Sequence, residues 1–181
     1  VCQHCRAEAQ HRAAPGQLTN AEGHELIDQL TSYERPYPML VLTGGDCFER
    51  PDLVDLIEYA VGKGLHVSIS PSVTPLFTRE RVKAVQDAGV SVMSMSLDGG
   101  SAETHDAFRG FPGTFDRTIE ACHMLNELGM RFQLNTVFTA KNIHEAPQML
   151  KNAIDLGAFM FYTFMLVPTG RGQHLDMLTP H

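Results

Sequence analysis

Residues 93–98, Met-Ser-Met-Ser-Leu-Asp, alternate apolar and polar side chains, and this alternation decides the fold class. Because successive side chains of a strand point to opposite sides, Ser94, Ser96 and Asp98 share one face. The strands of an open parallel sheet that is covered on both faces are nearly continuously apolar instead. Buried polar groups need hydrogen-bond partners, so the polar face predicts a space that holds water or a polar ligand.

Two further stretches alternate in the same way, residues 66–70 and 131–135, and their polar positions include His66, Ser68, Ser70, Gln133 and Asn135. In a closed barrel, side chains alternate between the lumen and the surrounding helices. We therefore interpret the three polar tracks as the lining of an α/β barrel. The alternative is a half-covered sheet whose polar tracks face solvent.

Helical signals separate these strands. Residues 19–22, Thr-Asn-Ala-Glu, form a capping box, and Pro51 fits the first turn of the next helix. Thr114 is predicted to cap a later helix that ends at Gly129. Strands that alternate with helices imply βαβ units and a parallel sheet. Since no linker or charge block divides the sequence, we interpret residues 1–181 as one domain.

The composition argues against several classes of function. Lys and Arg number 14 against 21 Asp and Glu, a net charge of −7, whereas nucleic acids and anionic membranes attract clustered positive charge. The longest apolar run, residues 158–167, is too short to span a bilayer. Four unevenly spaced cysteines suit a reducing compartment, so we expect a cytoplasmic protein. Position 1 is Val and no signal peptide follows, which predicts a fragment that begins inside a longer protein.

Cys2-Gln3-His4-Cys5 is the sharpest local motif. A thioredoxin-like redox pair would need a preceding strand, which this sequence lacks. A zinc site would need two further ligands, for which His4 and His11 are candidates. An iron–sulfur cluster would use the cysteine thiolates. The residues alone leave these three interpretations open.

The predicted strand ends carry the other candidate residues, because the chemistry of α/β barrels gathers at the carboxyl ends of their strands. Gly44 and Gly45 leave the main chain bare for a ligand, and Asp46 adds an acceptor for a cationic group. The alternative there is a tight turn with a solvent-exposed acid. Asp98 ends a polar track, and Arg109 is either an anion anchor or a surface ion-pair partner.

Taken together, the motifs resemble the radical S-adenosylmethionine (SAM) superfamily, in particular its SPASM branch. Cys2 and Cys5 match the second and third cysteines of the family's C-x3-C-x2-C motif, with His4 in place of an often aromatic residue. The other matches occur in the family's order. Residues 43–46 resemble its GGE motif with Asp for Glu, and residues 94–99 resemble its S-x-S-L-D-G strand end. Residues 105–110 and 113–116 resemble its HD-x-x-RG and GSFD stretches, and residues 135–137 and 166–170 resemble its last two strand ends.

The resemblance implies a partial (βα)6 TIM-like barrel of the radical SAM type, truncated at both ends. Residues 1–181 would be an incomplete core domain. The first strand, the first cysteine of the motif, expected four residues before Cys2, and the cysteine-rich SPASM region would lie outside it. Because the family uses three cysteines as ligands, we expect the fragment alone to be inactive.

The resemblance also implies the chemistry. In the family, three thiolates hold a [4Fe–4S] cluster, and SAM occupies the iron that lacks a protein ligand. Reductive cleavage of SAM gives a 5′-deoxyadenosyl radical, which abstracts a hydrogen atom from the substrate. A reductase or flavodoxin-type protein would supply the electron. The substrate would be a small molecule or a peptide, in peptide or protein maturation or in haem-type cofactor biosynthesis, and the sequence looks closer to the haem group.

The matching positions imply roles for individual residues. Cys2 and Cys5 would be metal ligands, and Asp98 and Arg109 would be catalytic residues that contact SAM or substrate. The SAM-binding positions would be His4, Gly44, Gly45, Asp46, Ser70, Ser96, Asn135 and Val137. The alternatives are a zinc- or thiol-dependent barrel enzyme that uses the C-x-x-C pair, and a degenerate barrel without catalytic activity.

Overall fold

The computed structural model describes residues 2–10 and 14–175. Within these ranges, five strands form a sheet in the order in which they follow one another along the chain. The strands are β1 (Leu40–Leu42), β2 (Val67–Ile69), β3 (Val92–Ser96), β4 (Phe132–Phe138) and β5 (Met160–Met165). The strand pairings are parallel, so the predicted α/β class is confirmed.

Six α-helices precede or connect these strands in the described ranges, with two of them between β3 and β4: α1 (Asn20–Leu30), α2 (Leu53–Gly62), α3 (Arg79–Asp87), α4 (Ala102–Arg109), α5 (Thr114–Glu127) and α6 (Ala146–Asp155). Short 3-10 turns occur at Cys47–Glu49, Ile143–Glu145 and Gly170–His174. The predicted capping box is confirmed at the start of α1, where the Thr19 and Glu22 side chains each bond the other residue's main chain.

The described residues group into two compact units, of which one is His11–Met93. Here β2 pairs with β1 from Leu40–Val67 to Leu42–Ile69, and with the beginning of β3. All three residues of β2 are buried, as expected for a strand inside a sheet. The helices cover it with apolar side chains; the core includes Leu56, Ile57, Ala60, Val82 and Val85.

The other unit consists of Val1–Gln10 and Ser94–His181. Its strand β4 alternates strictly between buried and half-buried residues, with Phe132 and Leu134 buried and Asn135 half-buried. This is the period-two pattern that the sequence predicted. Leu97 N donates to Asn135 O over 2.9 Å, which ties the chain after β3 to β4. The unit therefore places the end of β3 beside the middle of β4.

Strand β5 pairs with β4 over six positions, from Gln133–Met160 to Phe138–Met165. Its large apolar side chains are 40–60% exposed at Met160, Tyr162, Phe164 and Met165. An exposed apolar edge strand is a surface to which further strands can pair. In the part of the chain that is described, no helix combines the length and apolar character that crossing a membrane requires.

Two local predictions are wrong. Pro51 precedes the N-cap residue of α2 and so lies outside the helix. The N-cap of α5 is Gly113, in the left-handed region with φ 75°, while Thr114 is the first helical residue. Asp106 of α4 performs the capping, because its carboxylate accepts from the main-chain N–H groups of Gly113 and Phe115. A cap supplied by another helix has no signature among the neighbouring residues.

Candidate functional site

The cysteine loop, residues 2–9, folds as a tight turn around the C-x-x-C pair. Cys5 N donates to Cys2 O over 3.4 Å, and Ala9 N donates to the Cys5 sulfur over 3.3 Å. Both cysteines are free thiols and half-buried. The loop therefore presents two sulfurs, one of which already receives a main-chain N–H.

Arg109 connects the cysteine loop to a buried carboxylate. Its Nε lies 2.8 Å from Oδ2 of Asp98, and its Nη1 donates to the Cys2 sulfur over 3.4 Å. The side chains of Arg109 and Asp98 are only 18% and 1% exposed, so the surface ion pair considered from the sequence is wrong. Burial by itself would lower the pKa of Arg109. The charge of Asp98 and, to a smaller extent, Cys2 outweigh burial, so the pKa of Arg109 is raised. Arg109 is therefore a permanent positive charge beside the sulfur.

Asp98 is held by groups from several elements. Val137 N donates to its Oδ1 over 2.8 Å, Asn142 Nδ2 donates to its main-chain O over 2.9 Å, and its own N donates to His105 Nδ1 over 3.0 Å. Its Oδ2 forms the ion pair with Arg109 without hydrogen-bond alignment, and has no hydrogen-bond partner among the described residues. A buried acceptor with unmet capacity is a position where a ligand N–H or O–H can bind.

His105 is a site residue whose role the sequence did not reveal. His105 is 1% exposed, and burial, reinforced by the charge of Arg109, lowers the pKa of its ring to about 4. Because Nδ1 accepts the N–H of Asp98, the neutral ring carries its proton on Nε2. The HD-x-x-RG stretch was the available signal, but it did not indicate a buried acceptor. His105 fixes the main chain at the end of the polar track.

Because the buried ring of His105 resists protonation, we expect the protein to lose stability in mild acid. Between pH 6.5 and about 4, the His105 ring binds a proton in the unfolded chain but not in the folded one. The contribution of His105 to the free energy of unfolding is therefore complete above pH 6.5 and falls as the pH falls. Linkage gives a loss of about 2 kcal/mol in the free energy of unfolding at about pH 5. Urea denaturation at about pH 7 and about pH 5 measures this loss. His105→Asn keeps an acceptor and should remove most of the difference, and an unchanged pH dependence contradicts the assignment.

His4 packs against α4. Its ring stacks on Phe108 with the ring centroids 4.5 Å apart. Burial lowers the pKa of His4, which the charge of Asp98 opposes and those of Arg109 and Arg171 reinforce. Its Nδ1 is buried without a hydrogen-bond partner in the described ranges. His4, which lies between the two cysteines in the sequence, thus offers a ring nitrogen without a hydrogen-bond partner in the described ranges.

The glycine turn, residues 43–46, lies in the His11–Met93 unit. A Cβ added at Gly44 would meet no atom within 4 Å, so the main chain there faces open space. Asp46 is buried, and its carboxylate accepts from Phe48 N over 3.1 Å and from Thr74 Oγ1 over 2.6 Å. The solvent-exposed acid considered as an alternative is therefore wrong. The carboxylate holds the turn in place.

The segment after β2 supports the same turn. Ser72 Oγ donates to Gly45 O over 2.6 Å, and Ser70 N donates to Leu42 O, at the end of β1, over 2.9 Å. Cys47, next to the turn, is buried, and burial together with the neighbouring carboxylate raises the pKa of its thiol to about 12. Since metal ligation needs a thiolate, Cys47 is unsuited to it.

The remaining predicted SAM-binding residues lie on two strands. Ser96 ends β3, and Asn135 and Val137 share the half-buried face of β4. Gln133 Nε2 donates to Asn135 Oδ1 over 3.0 Å. Among the predicted site residues, one unit contains Cys2, His4, Cys5, Ser96, Asp98, Arg109, Asn135 and Val137, and the other contains Gly44, Gly45, Asp46 and Ser70.

In the described ranges, no three His, Cys, Asp or Glu side chains converge as ligands for one metal ion. Cys2 and Cys5 provide two sulfurs. Cys122 is fully buried, and burial raises the pKa of its thiol to about 12. The zinc-ligand candidate His11 lies outside the described residues. The thiol pair of the cysteine loop therefore stays the candidate metal centre.

The fold and the site define an α/β protein with a parallel sheet and a thiol-bearing loop beside a buried Asp–Arg pair. The sequence model of the Radical SAM superfamily matches residues 1–153. The chain therefore belongs to the radical SAM superfamily.

Two curated relatives are AdoMet-dependent heme synthases, AdoMet being SAM. The relative from Oleidesulfovibrio alaskensis is 42% identical over 175 residues, which cover 97% of this chain and 44% of the relative. The relative from Methanosarcina barkeri is 38% identical over 179 residues, which cover 99% of this chain and 50% of the relative. The chain thus spans about half the length of these relatives. The expected similarity to haem-processing members of the family is confirmed.

Among solved structures, anSMEcpe with bound AdoMet and Cp18Cys peptide matches with a TM-score of 0.78 at 14% identity. The match covers 99% of this chain and 52% of that chain. At this identity the likeness concerns the fold, and it confirms the partial TIM-like barrel of the radical SAM type.

Proposed function

We propose that the protein containing this chain is a radical SAM enzyme that cleaves SAM reductively at a [4Fe–4S] cluster and removes a hydrogen atom from its substrate. Membership of the superfamily supports this proposal. The observation that carries it is the state of the cysteine loop, whose two sulfurs are free, half-buried and each contacted by a donor group.

The residues of the loop fit iron–sulfur ligation. Thiolates rather than thiols bind iron, and nearby positive charge and N–H donors stabilise the thiolate form. Arg109 brings the charge to Cys2, and Ala9 brings an N–H to Cys5. Cys2 and Cys5 would therefore be two of the cysteine ligands. When bound, the cluster supplies the electron that breaks a carbon–sulfur bond of SAM, and the carbon radical takes the substrate hydrogen atom.

The glycine turn is our candidate for binding the amino end of SAM. Gly44 and Gly45 expose main-chain groups, and the buried Asp46 holds them in position. His4 would use its unpaired Nδ1 for a hydrogen bond to SAM. The other contacts that we assign to SAM are those of Ser70, Ser96 and Asn135 with the ribose and carboxylate, and the packing of Val137 against adenine.

The contacts of Asp98 and Arg109 support a more specific role than substrate contact alone. The ion pair is buried, and Arg109 reaches the Cys2 sulfur, so the pair would fix the surroundings of that sulfur. The Oδ2 of Asp98, which is ion-paired with Arg109 but has no hydrogen-bond partner in the described ranges, would accept an N–H or O–H from SAM or from the substrate.

A haem-type precursor is the substrate class that the comparisons favour, because both curated relatives are named heme synthases. A peptide is the second candidate, since the solved structure contains a peptide together with AdoMet. A reductase or flavodoxin-type protein in the cytoplasm would supply the electron, in keeping with a chain of few cysteines.

Anaerobic reconstitution of the full-length protein with iron and sulfide tests the proposal. We expect about four irons for the cluster, and formation of 5′-deoxyadenosine once SAM and a reductant are added. Iron porphyrins that carry carboxylate side chains should stimulate this reaction more than peptides of unrelated sequence. Stoichiometric zinc without iron uptake would support the zinc alternative, and a folded protein that takes up neither metal would support the non-catalytic one.

A further inference from the structure

The 3-10 turn after β5, Gly170–His174, lies directly against the cysteine loop, and no role has yet been assigned to it. Arg171 of this turn donates from its main-chain N to Cys5 O over 3.2 Å and from Nε to Cys2 O over 2.9 Å. Its Nη1 and Nη2 both reach Ala9 O over 3.3 Å. One residue thus binds three carbonyl groups of the loop, including those of both cysteines.

The donors of Arg171 are directed at the protein main chain. A guanidinium has five N–H donors in a fixed planar fork, and those on all three of its nitrogens are used here on carbonyl oxygens. The side chain is therefore occupied by the loop, not presented to an acidic substrate.

The residue before Arg171 shows how closely the two segments pack. A Cβ at Gly170 would lie 2.5 Å from Arg6 O and 2.7 Å from Cys5 O, and φ of Gly170 is +56°. A side chain at this position would push the loop away, so only glycine permits the contact. Gly170 and Arg171 together form the surface against which the main chain of the cysteine loop packs.

The contact of Arg171 with the loop also bears on the cysteine sulfurs. Ala9, whose carbonyl Arg171 binds, is the residue whose N–H donates to the Cys5 sulfur. Mutation of groups that orient metal ligands without binding the metal themselves typically lowers metal affinity by about 10- to 100-fold. Hydrogen bonds to cysteine sulfur also shift the electronic properties of an iron–sulfur cluster.

We propose that Arg171 is a positioning residue that fixes the spacing of the Cys2 and Cys5 sulfurs for the cluster. This inference rests on the proposed function, because it takes the two cysteines as cluster ligands. It assigns Gly170 and Arg171 to the metal centre and not to substrate recognition.

Arg171→Ala in the reconstituted full-length protein is the test, and Arg117→Ala is its matched control. Arg117 is exposed and also donates to main-chain carbonyls, those of Gly113 and Pro112, each over 3.1 Å, but it lies at the start of α5. Iron release to a chelator is measured by absorbance, and the reduced cluster is examined by electron paramagnetic resonance (EPR). For Arg171→Ala we expect release about tenfold faster or more and a changed EPR spectrum. Arg117→Ala should match the unmodified protein in both.

Arg171→Lys keeps the charge but loses the planar fork, so it should restore slow release only in part. If Arg171→Ala does not fold, Arg171→Lys carries the test, with release at least about threefold faster as the supporting result. Release and EPR spectra equal to those of the unmodified protein would overturn the inference while leaving the proposed function intact. An unmodified protein that takes up no iron would overturn both.

Discussion

The Cys2→Ala variant of the full-length protein is expected to lose its iron–sulfur cluster and, with it, the cleavage of SAM. Loss of one thiolate leaves an iron without its protein ligand. We expect 5′-deoxyadenosine formation to fall by about a thousandfold or more, which corresponds to about 4 kcal/mol in activation free energy. Cys5→Ala should behave in the same way. Iron content after desalting and chromatography of 5′-deoxyadenosine measure the two effects.

Cys122→Ala is the matched control for these variants. Cys122 lies in α5, is fully buried, and keeps its proton because burial raises the pKa of its thiol to about 12. Its replacement should cost about 1 kcal/mol of stability and leave iron content and SAM cleavage unchanged. A Cys2→Ala protein that resembles Cys122→Ala in both measurements would remove Cys2 from the metal centre.

Asp98→Ala should lower the free energy of unfolding by about 3–5 kcal/mol, because it leaves a buried positive charge without its partner. Arg109 would lose its counter-ion, and the N–H of Val137 would lose its acceptor. Urea denaturation of the variant and of the unmodified protein measures the loss. Asp98→Asn keeps the shape of the side chain and removes the charge, so it separates the two causes.

Asp155→Ala is the control for the loss of a carboxylate. Asp155 pairs with Lys151 on the exposed face of α6, with both side chains more than half exposed. Its removal should change the free energy of unfolding by less than about 0.5 kcal/mol. For Asp98, the double variant with Arg109→Ala should lose less than the two single losses added together. Additive losses, or a loss near that of Asp155→Ala, would contradict a buried ion pair.

The sequence was sufficient to predict features that a few neighbouring residues encode. The alternation along residues 132–135 reappears as alternate burial, which continues to the end of β4, because the geometry of a strand itself has a period of two. The capping box at Thr19–Glu22 needs only four consecutive residues, and both of its hydrogen bonds form. These features do not depend on which other part of the chain lies nearby.

The contacts that build the site could not be predicted in this way, because their partners are far apart along the chain. The motifs singled out Asp98 and Arg109, but they did not show that the two pair, or that His105 accepts the N–H of Asp98. Arg171 and Cys2, which are bonded, are 169 positions apart. Only tertiary packing selects such partners from the many polar residues available.

The long separation between Arg171 and the cysteine loop has a consequence for biogenesis. The ribosome must make nearly the whole of this 181-residue sequence before the loop can settle against its partner. Contacts between residues so far apart along the chain form slowly. Iron delivery is therefore expected to follow the synthesis of Arg171, and a nascent chain stalled before this residue would leave two thiols open to oxidants in the cell.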